Sequence, residues 1–154
     1  MVLSEVRIMA EELTGERLIL RRRGPLELFL LPRDIEGESL DPHVGPVNNP
    51  VYYTIYPLSN TTVAMGDCII YNPQPGEVEF GIRIIAGFRD AGYGTEATKI
   101  LSDYYLTTGG CSRVHLKVLP HNGRAVRAYE KAGFKPCGKI VVDGLEFIKM
   151  EKVR

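Results

Sequence analysis

The sequence predicts an α/β (α+β) fold in which helices flank a largely antiparallel sheet. Runs of β-branched and aromatic residues separated by short turns dominate the first half of the chain. Two segments with helical periodicity follow, with one alternating strand between them. Near the C-terminus an Asp-Gly pair joins two further apolar runs, as in a β-hairpin.

The composition is that of one globular domain spanning residues 1–154. Hydrophobic residues make up 44% of the chain and charged residues 25%, which is typical of a folded protein. Nineteen Lys and Arg residues balance nineteen Asp and Glu residues, so no overall field favours an acidic or a basic partner. We therefore expect neither nucleic acid nor a membrane as a partner.

The cysteines and the N-terminus indicate a cytoplasmic protein. Cys68, Cys111 and Cys137 are odd in number and lack metal-ligand spacing, so the sequence predicts neither a disulfide framework nor a metal site. Residues 1–13 lack the basic lead and apolar core of a signal peptide. No apolar run is long enough to cross a membrane.

The first half of the chain predicts four strands and one irregular segment. Residues 24–50 carry five prolines, which exclude long helices, and only Leu26–Leu31 offers a short apolar piece. A turn at Ser59-Asn60 joins the second and third strands. The strands are expected at Glu16–Arg22, Val51–Leu58, Thr62–Tyr71 and Glu77–Ile85.

The second half predicts two helices and three strands. A helical apolar pattern begins at Ala97 and ends near Gly109-Gly110, whereas the second helix takes Asn122 as its N-cap and ends at Gly133. Asp143-Gly144 is typical of a type I′ turn. The strands are expected at Arg113–Val118, Lys139–Val142 and Leu145–Lys152.

The glycine turn around Gly92 and Gly94 is the main candidate site. Glycine permits positive φ and leaves the free N–H groups of the following helix open, which stabilises an anionic phosphate. A tight turn that merely needs glycine explains the same residues. A nicotinamide site is disfavoured because antiparallel hairpins precede the turn and residues 111–117 contain no ribose-binding carboxylate.

Two longer motifs resemble one known family. Arg89 to Gly94 matches an Arg/Gln-x-x-Gly-x-Gly/Ala pattern, and Asn122 to Phe134 matches Asn-x-x-(Ala/Ser)-x-x-x-Tyr-Glu-Lys-x-Gly-Phe. Both are motifs of the acetyl-CoA-dependent N-acetyltransferases of the GNAT superfamily. Glu79-Phe80-Gly81 and the earlier ERLILRR segment look like the branch that acetylates ribosomal-protein N-termini and small amines.

The resemblance implies a cofactor site between two splayed central strands. Acetyl-CoA would be the co-substrate, with no metal, and its pantetheine would lie against Ile82, Arg83 and Ile84. Asn122 would contact the same arm, although its role as N-cap explains it equally well. The pyrophosphate contacts would come from Arg89, Asp90, Ala91, Gly92, Tyr93, Gly94 and Thr95.

The resemblance also implies two catalytic side chains. Tyr129 would protonate the departing sulfur, or it is simply a core aromatic. Glu79 would accept the amine proton, or it is an ordinary exposed strand carboxylate. His115 is expected on a solvated strand face with Arg113.

The acceptor is expected to be a primary amine, either of a small molecule or of a protein N-terminus. Residues 24–50 replace the two helices that usually wall the acceptor site, so that site is either open or completed by a second subunit in a homodimer. Asp90 stands where relatives often have glycine, and its charge would weaken CoA binding. A non-catalytic acyl-CoA-binding module is the alternative function.

Overall fold

The computed structural model describes residues 10–23 and 47–154, which form one eight-stranded sheet and two helices. The expected piece Leu26–Leu31 and most of the proline-rich segment lie outside these residues. The predicted mixed fold is confirmed. The elements are β1 Glu12–Thr14, β2 Leu18–Arg23, β3 Val51–Pro57, β4 Gly66–Gln74, β5 Glu77–Ile84, α1 Tyr93–Leu106, β6 Arg113–Val118, α2 Gly123–Lys131, β7 Lys135–Val142 and β8 Leu145–Val153.

The strands follow the order β1-β2-β3-β4-β5-β6-β8-β7, and every neighbouring pair is antiparallel except β5 and β6. Strand β1 was not predicted, because it is only three residues long. Strand β4 begins at Gly66 rather than at the predicted Thr62, because the Asn60 side chain accepts hydrogen bonds from the Thr62 N–H and hydroxyl and holds that stretch in a turn. Strand β7 begins at Lys135 rather than Lys139, and Pro136 is tolerated because β7 is an edge strand.

Both helices pack on one face of the sheet, which we call the helix face. The hydroxyl groups of Tyr53 on β3 and Tyr105 on α1 lie 3.4 Å apart. Phe80 on β5 meets Tyr129 on α2 edge-on, with 6.3 Å between the ring centroids. Because successive strand side chains alternate, the odd-numbered residues of β5, such as Glu79, point to the other side of the sheet, which we call the opposite face.

Local rules account for the turns and helix ends that were predicted. The Asn122 side chain accepts a bond from the Ala125 N–H at 3.3 Å, which confirms it as the N-cap of α2. Asp143 and Gly144 have φ values of 51° and 79°, as a type I′ turn requires. Gly92 caps α1 in the left-handed conformation with φ 83°.

Strands β5 and β6 pair over a short distance and then separate. They share three rungs, and Glu79–His115 is the last of these. Beyond it β5 stays paired with β4 as far as Ile84, and β6 stays paired with β8 as far as Val118. We call this divergence the fork and the Glu79–His115 rung its vertex. The predicted splay of the central strands is confirmed.

One arm of the fork depends on a close backbone approach at Gly66. Gly66 pairs with Ile84, and a Cβ atom on Gly66 would collide with the carbonyl oxygen of Arg83. We expect Gly66→Ala to lower the free energy of unfolding, measured by chemical denaturation, by about 1–3 kcal/mol, because β4 and β5 must move apart to accommodate the new methyl group. Gly87→Ala is the matched control, since a Cβ there meets nothing within 4 Å. Equal stability of the two variants would contradict this account of the arm.

Candidate functional site

The open side of the fork forms a cleft of about 960 Å³ between β5, α2 and the loop that leads into α1. This volume lies within the range of small-molecule sites, roughly 300–1,000 Å³. Most of the predicted site residues line it: Ile82, Arg83, Ile84, Arg89, Asp90, Gly92, Tyr93, Gly94, Thr95, Asn122 and Tyr129. Ala91 and Glu79 are outside this lining.

The first turn of α1 faces this cleft and has room above it. The first intrahelical bond joins the Glu96 N–H to the Gly92 carbonyl at 3.1 Å, so the N–H groups before it have no partner within the helix. Gly94 has no positive φ, and a Cβ there would meet Ile84 at an ordinary 3.6 Å. The packing of the described residues therefore does not require glycine at position 94. What glycine provides is open space over the N–H groups.

Arg17 supports the glycine turn from the strand end of β2, and the sequence analysis missed it. Its Nη1 donates to the Ala91 carbonyl at 2.8 Å, and its Nε pairs with Glu96 at 3.0 Å. Its guanidinium also lies 4.5 Å from the centre of the Tyr93 ring. No motif joins Arg17 to this turn, because the two are far apart in the sequence.

Helix α2 contributes a row of cations to the cleft wall. Arg124, Arg127 and Lys131 are spaced so that they share one helix face, and all three line the cleft. That spacing was readable in the sequence. Arg89 also lines the cleft, and its Nε donates to the Ile84 carbonyl at 2.9 Å, which fastens the loop to the end of β5.

An ion pair links the two walls of the cleft. Arg124 Nε lies 3.0 Å from Asp90 Oδ1, and Arg124 Nη2 lies 3.4 Å from Oδ2. Asp90 has a positive φ of 62° and its side chain is 70% exposed. Exposed ion pairs of this kind contribute at most about 1 kcal/mol to stability. Arg124 is therefore held only weakly by Asp90, and an anion in the cleft can compete for it.

Tyr129 is both a core aromatic and part of the cleft wall. Its side chain is only 1% exposed, and its ring centroid lies 6.3 Å from that of Phe80 and 6.0 Å from that of Phe134. The two roles weighed from the sequence are therefore compatible. The ring is fixed by packing, and the residue is part of the cleft lining.

Glu79 lies at the vertex of the fork and is 3% exposed, so the alternative of an exposed strand carboxylate is wrong. Three side chains hold it. The Tyr71 hydroxyl donates to Oε2 at 3.0 Å and the Asn72 amide to Oε1 at 3.2 Å, while Lys117 Nζ lies 3.3 Å from Oε2. The carboxylate is thereby fixed on the opposite face beside the gap.

His115, the partner of Glu79 at the vertex, is not on a solvated face as the sequence suggested. It is half-buried, because β6 is a central strand between β5 and β8, and its buried Nδ1 has no hydrogen-bond partner. Burial lowers the pKa of His115 below its ordinary value of 6.5, and the Glu79 carboxylate opposes this shift.

The lowered pKa of His115 predicts a pH-dependent stability. The unfolded chain binds this proton at a higher pH than the folded chain, so the contribution of His115 is complete above pH 6.5 and is lost as the pH falls through the folded pKa. We expect the free energy of unfolding to fall more between about pH 7 and about pH 5 in the wild type than in His115→Gln. His121→Gln, at an exposed loop position, is the control. Identical pH profiles for the wild type and His115→Gln would refute the assignment.

Two further features of the described residues bear on the site. They contain no group of three or more His, Cys, Asp or Glu residues placed to hold a metal ion. Neither described helix combines the length and the apolar character that a membrane crossing needs.

Solved acetyltransferase structures share this fold at low sequence identity. A GNAT-family acetyltransferase from Bacillus anthracis has a TM-score of 0.75 at 13% identity, covering 92% of this chain and 98% of that one. A spermidine N-acetyltransferase SpeG chimera from Vibrio cholerae and hSSAT has a TM-score of 0.71 at 18% identity, covering 89% of this chain and 95% of that one.

The aminoglycoside acetyltransferase AAC(6')-Ib, solved with paromomycin and acetyl-CoA, has a TM-score of 0.61 at 20% identity. The match covers 70% of this chain and 66% of that enzyme, so the chain spans slightly less than two thirds of its length. No curated protein sequence matches the chain significantly.

The family follows from the sequence match together with the fork and the cleft. A family model described as an acetyltransferase (GNAT) domain matches residues 41–135, which is more than half of the chain. The motif-based family prediction is confirmed, whereas the ribosomal-protein branch stays a prediction. The chain belongs to the GNAT acetyltransferase domain family.

Proposed function

We propose that this protein is an acetyl-CoA-dependent N-acetyltransferase that moves the acetyl group directly to a primary amine. The observation that carries the proposal is the fork, which opens onto a cleft with the glycine turn at one end and Tyr129 in its wall. Pairing with β6 ends at Glu79, so the backbone of β5 from Phe80 to Ile84 keeps an edge that faces the gap. Pantetheine is an extended chain with two amides, and such a chain can pair with a strand edge.

The charges of the cleft suit the phosphate end of acetyl-CoA. The N–H groups of the first turn of α1 and the positive end of its dipole would hold the pyrophosphate. Arg124, Arg127 and Lys131 supply cations for the remaining phosphate charge. AAC(6')-Ib, which shares the fold, has been solved with acetyl-CoA and with coenzyme A.

Direct transfer needs a proton acceptor for the amine and a proton donor for the sulfur. The amine nitrogen forms a bond to the thioester carbonyl carbon as the carbon–sulfur bond breaks. Tyr129, in the wall on the helix face, would give its proton to the departing sulfur. Glu79, at the vertex on the opposite face, would take the amine proton directly or through one water.

We infer that the acceptor is a small-molecule amine or a protein N-terminus and that the reaction takes place in the cytoplasm. Two proteins with the same fold are an aminoglycoside acetyltransferase and a spermidine N-acetyltransferase, which favours a small-molecule acceptor over a protein N-terminus. The acceptor side would be either open or completed by a second copy of the chain in a homodimer.

Cofactor binding is tested at Gly94, where the open space lies. We expect the wild type to bind CoA in calorimetry and Gly94→Val to weaken that binding by at least about tenfold, because the new side chain enters the phosphate path. Gly87→Ala should bind as the wild type does. Unchanged affinity in a folded Gly94→Val variant would remove the pyrophosphate from this turn.

Catalysis is tested at Tyr129 by following thiol release from acetyl-CoA with a panel of primary amines. We expect Tyr129→Phe to lower kcat by about 100-fold or more and to leave the Kd of CoA unchanged, because phenylalanine keeps the packing on Phe80 and Phe134 but has no proton to give. An unchanged kcat would remove Tyr129 from the mechanism. CoA binding without thiol release from any amine would favour the non-catalytic acyl-CoA-binding module.

A further inference from the structure

Two cations flank the gap of the fork on the opposite face. Arg83 lies on the β5 arm beyond Glu79, and Lys117 lies on the β6 arm beyond His115. Strand alternation points both side chains away from the helices. Arg83 is one of the residues that line the cleft, but its side chain points to the opposite face, where it pairs with Asp67. A molecule that reaches the gap from the opposite face therefore meets both positive charges.

Arg83 belongs to a cluster in which two guanidinium groups share one carboxylate. Its Nε and Nη2 lie 3.3 and 3.0 Å from the two oxygens of Asp67. Arg23 Nη2 donates to the same Asp67 at 2.8 Å, and its Nη1 donates to the Thr54 hydroxyl at 2.7 Å. We call Arg23, Asp67 and Arg83 the arginine cluster. It carries a net charge of about +1, since arginine is always protonated in proteins.

The Arg23 side chain of the arginine cluster is buried and keeps an unused donor, and its two neighbours in the cluster are partly buried. The Arg23 side chain is 3% exposed, and those of Asp67 and Arg83 are 13% and 15% exposed. Arg23 Nε is buried without a hydrogen-bond partner. Uncompensated charge and an unsatisfied donor are both costly away from water, and a bound anion would offset the cost of the charge.

Among the residues that the structure describes, the remaining charges of the opposite face make the open end of the fork positive. Lys117 pairs with Glu79, and Lys149 of β8 lies directly across from Lys117. Within residues 10–23 and 47–154, four cations at this end, Arg23, Arg83, Lys117 and Lys149, accompany two carboxylates, Asp67 and Glu79. At the closed end Arg113 bonds Glu77 and Glu151, at 3.2 and 2.9 Å, so those acids are engaged away from the opening.

We propose that the acceptor of this enzyme is a primary amine that also carries an anionic group, a carboxylate or a phosphate, and that Arg83 recognises this group. The inference rests on the proposed acetyl transfer. With the cofactor filling the cleft on the helix face, the acceptor approaches the gap from the opposite face. There a polycation would set a second ammonium against like charges, whereas an anionic group would meet the arginine cluster.

The test compares acceptors that differ only in their far end. Amines of matched chain length would carry a carboxylate, a phosphate, a methyl group or a second amine. We expect the best ω-amino carboxylate or aminoalkyl phosphate to exceed the matched diamine and alkylamine in kcat/KM by at least about tenfold. In Arg83→Gln, the kcat/KM for the anionic amine should fall until it is close to that for the alkylamine, chiefly because the KM for the anionic amine rises. Arg21→Gln is the control, because Arg21 pairs with Glu12 near the sheet edge and should keep the wild-type preference.

The outcomes separate this inference from the proposed function. A higher kcat/KM for the phosphate than for the carboxylate would support the inference and identify the anion as phosphate. Preference for the diamine, or equal kcat/KM across the series, would overturn the inference while acetyl transfer stands. No transfer to any amine, despite CoA binding, would overturn the proposed function and this inference with it. The wild-type series alone decides these points even if Arg83→Gln fails to fold.

Discussion

The structure depends on one break in strand pairing, the separation of β5 from β6 after the Glu79–His115 rung. Each strand keeps its outer partner, so the sheet stays continuous while a gap opens at its centre. Backbone polar groups along such a gap need partners from water or from a ligand. The fork therefore provides a binding edge in the middle of a sheet, where a protein usually has none.

The two faces of the fork are built differently because their neighbours differ. On the helix face, α1 and α2 wall the cleft and supply a helix N-terminus and a row of basic side chains. On the opposite face, the charges that the described residues contribute near the gap come from strand side chains, with Glu79 at the vertex and Arg83 on one arm. Under the proposed function, this separation would let one gap hold an anionic cofactor on one side and present a different chemistry to an acceptor on the other.

Features set by neighbouring residues were predictable from local residue chemistry. The splay of the central strands was predictable only through the family resemblance, and the contacts between side chains of different strands were not predictable. The Asn122 cap, the Asp143-Gly144 turn and the glycine turn follow from local backbone preferences. The burial of Glu79 depends on the strands on either side of it. The arginine cluster exists only because β2, β3, β4 and β5 are adjacent, so no spacing along the chain could reveal it.

Hydrogen–deuterium exchange on the full chain can determine whether CoA occupies the gap of the fork. Amides of β5 that face the gap should exchange faster than those bonded to β4 in the free protein. Saturating CoA should slow exchange in residues 80–84 and in the first turn of α1 together, because pantetheine and pyrophosphate would cover both. CoA binding that leaves both segments unprotected would contradict the account.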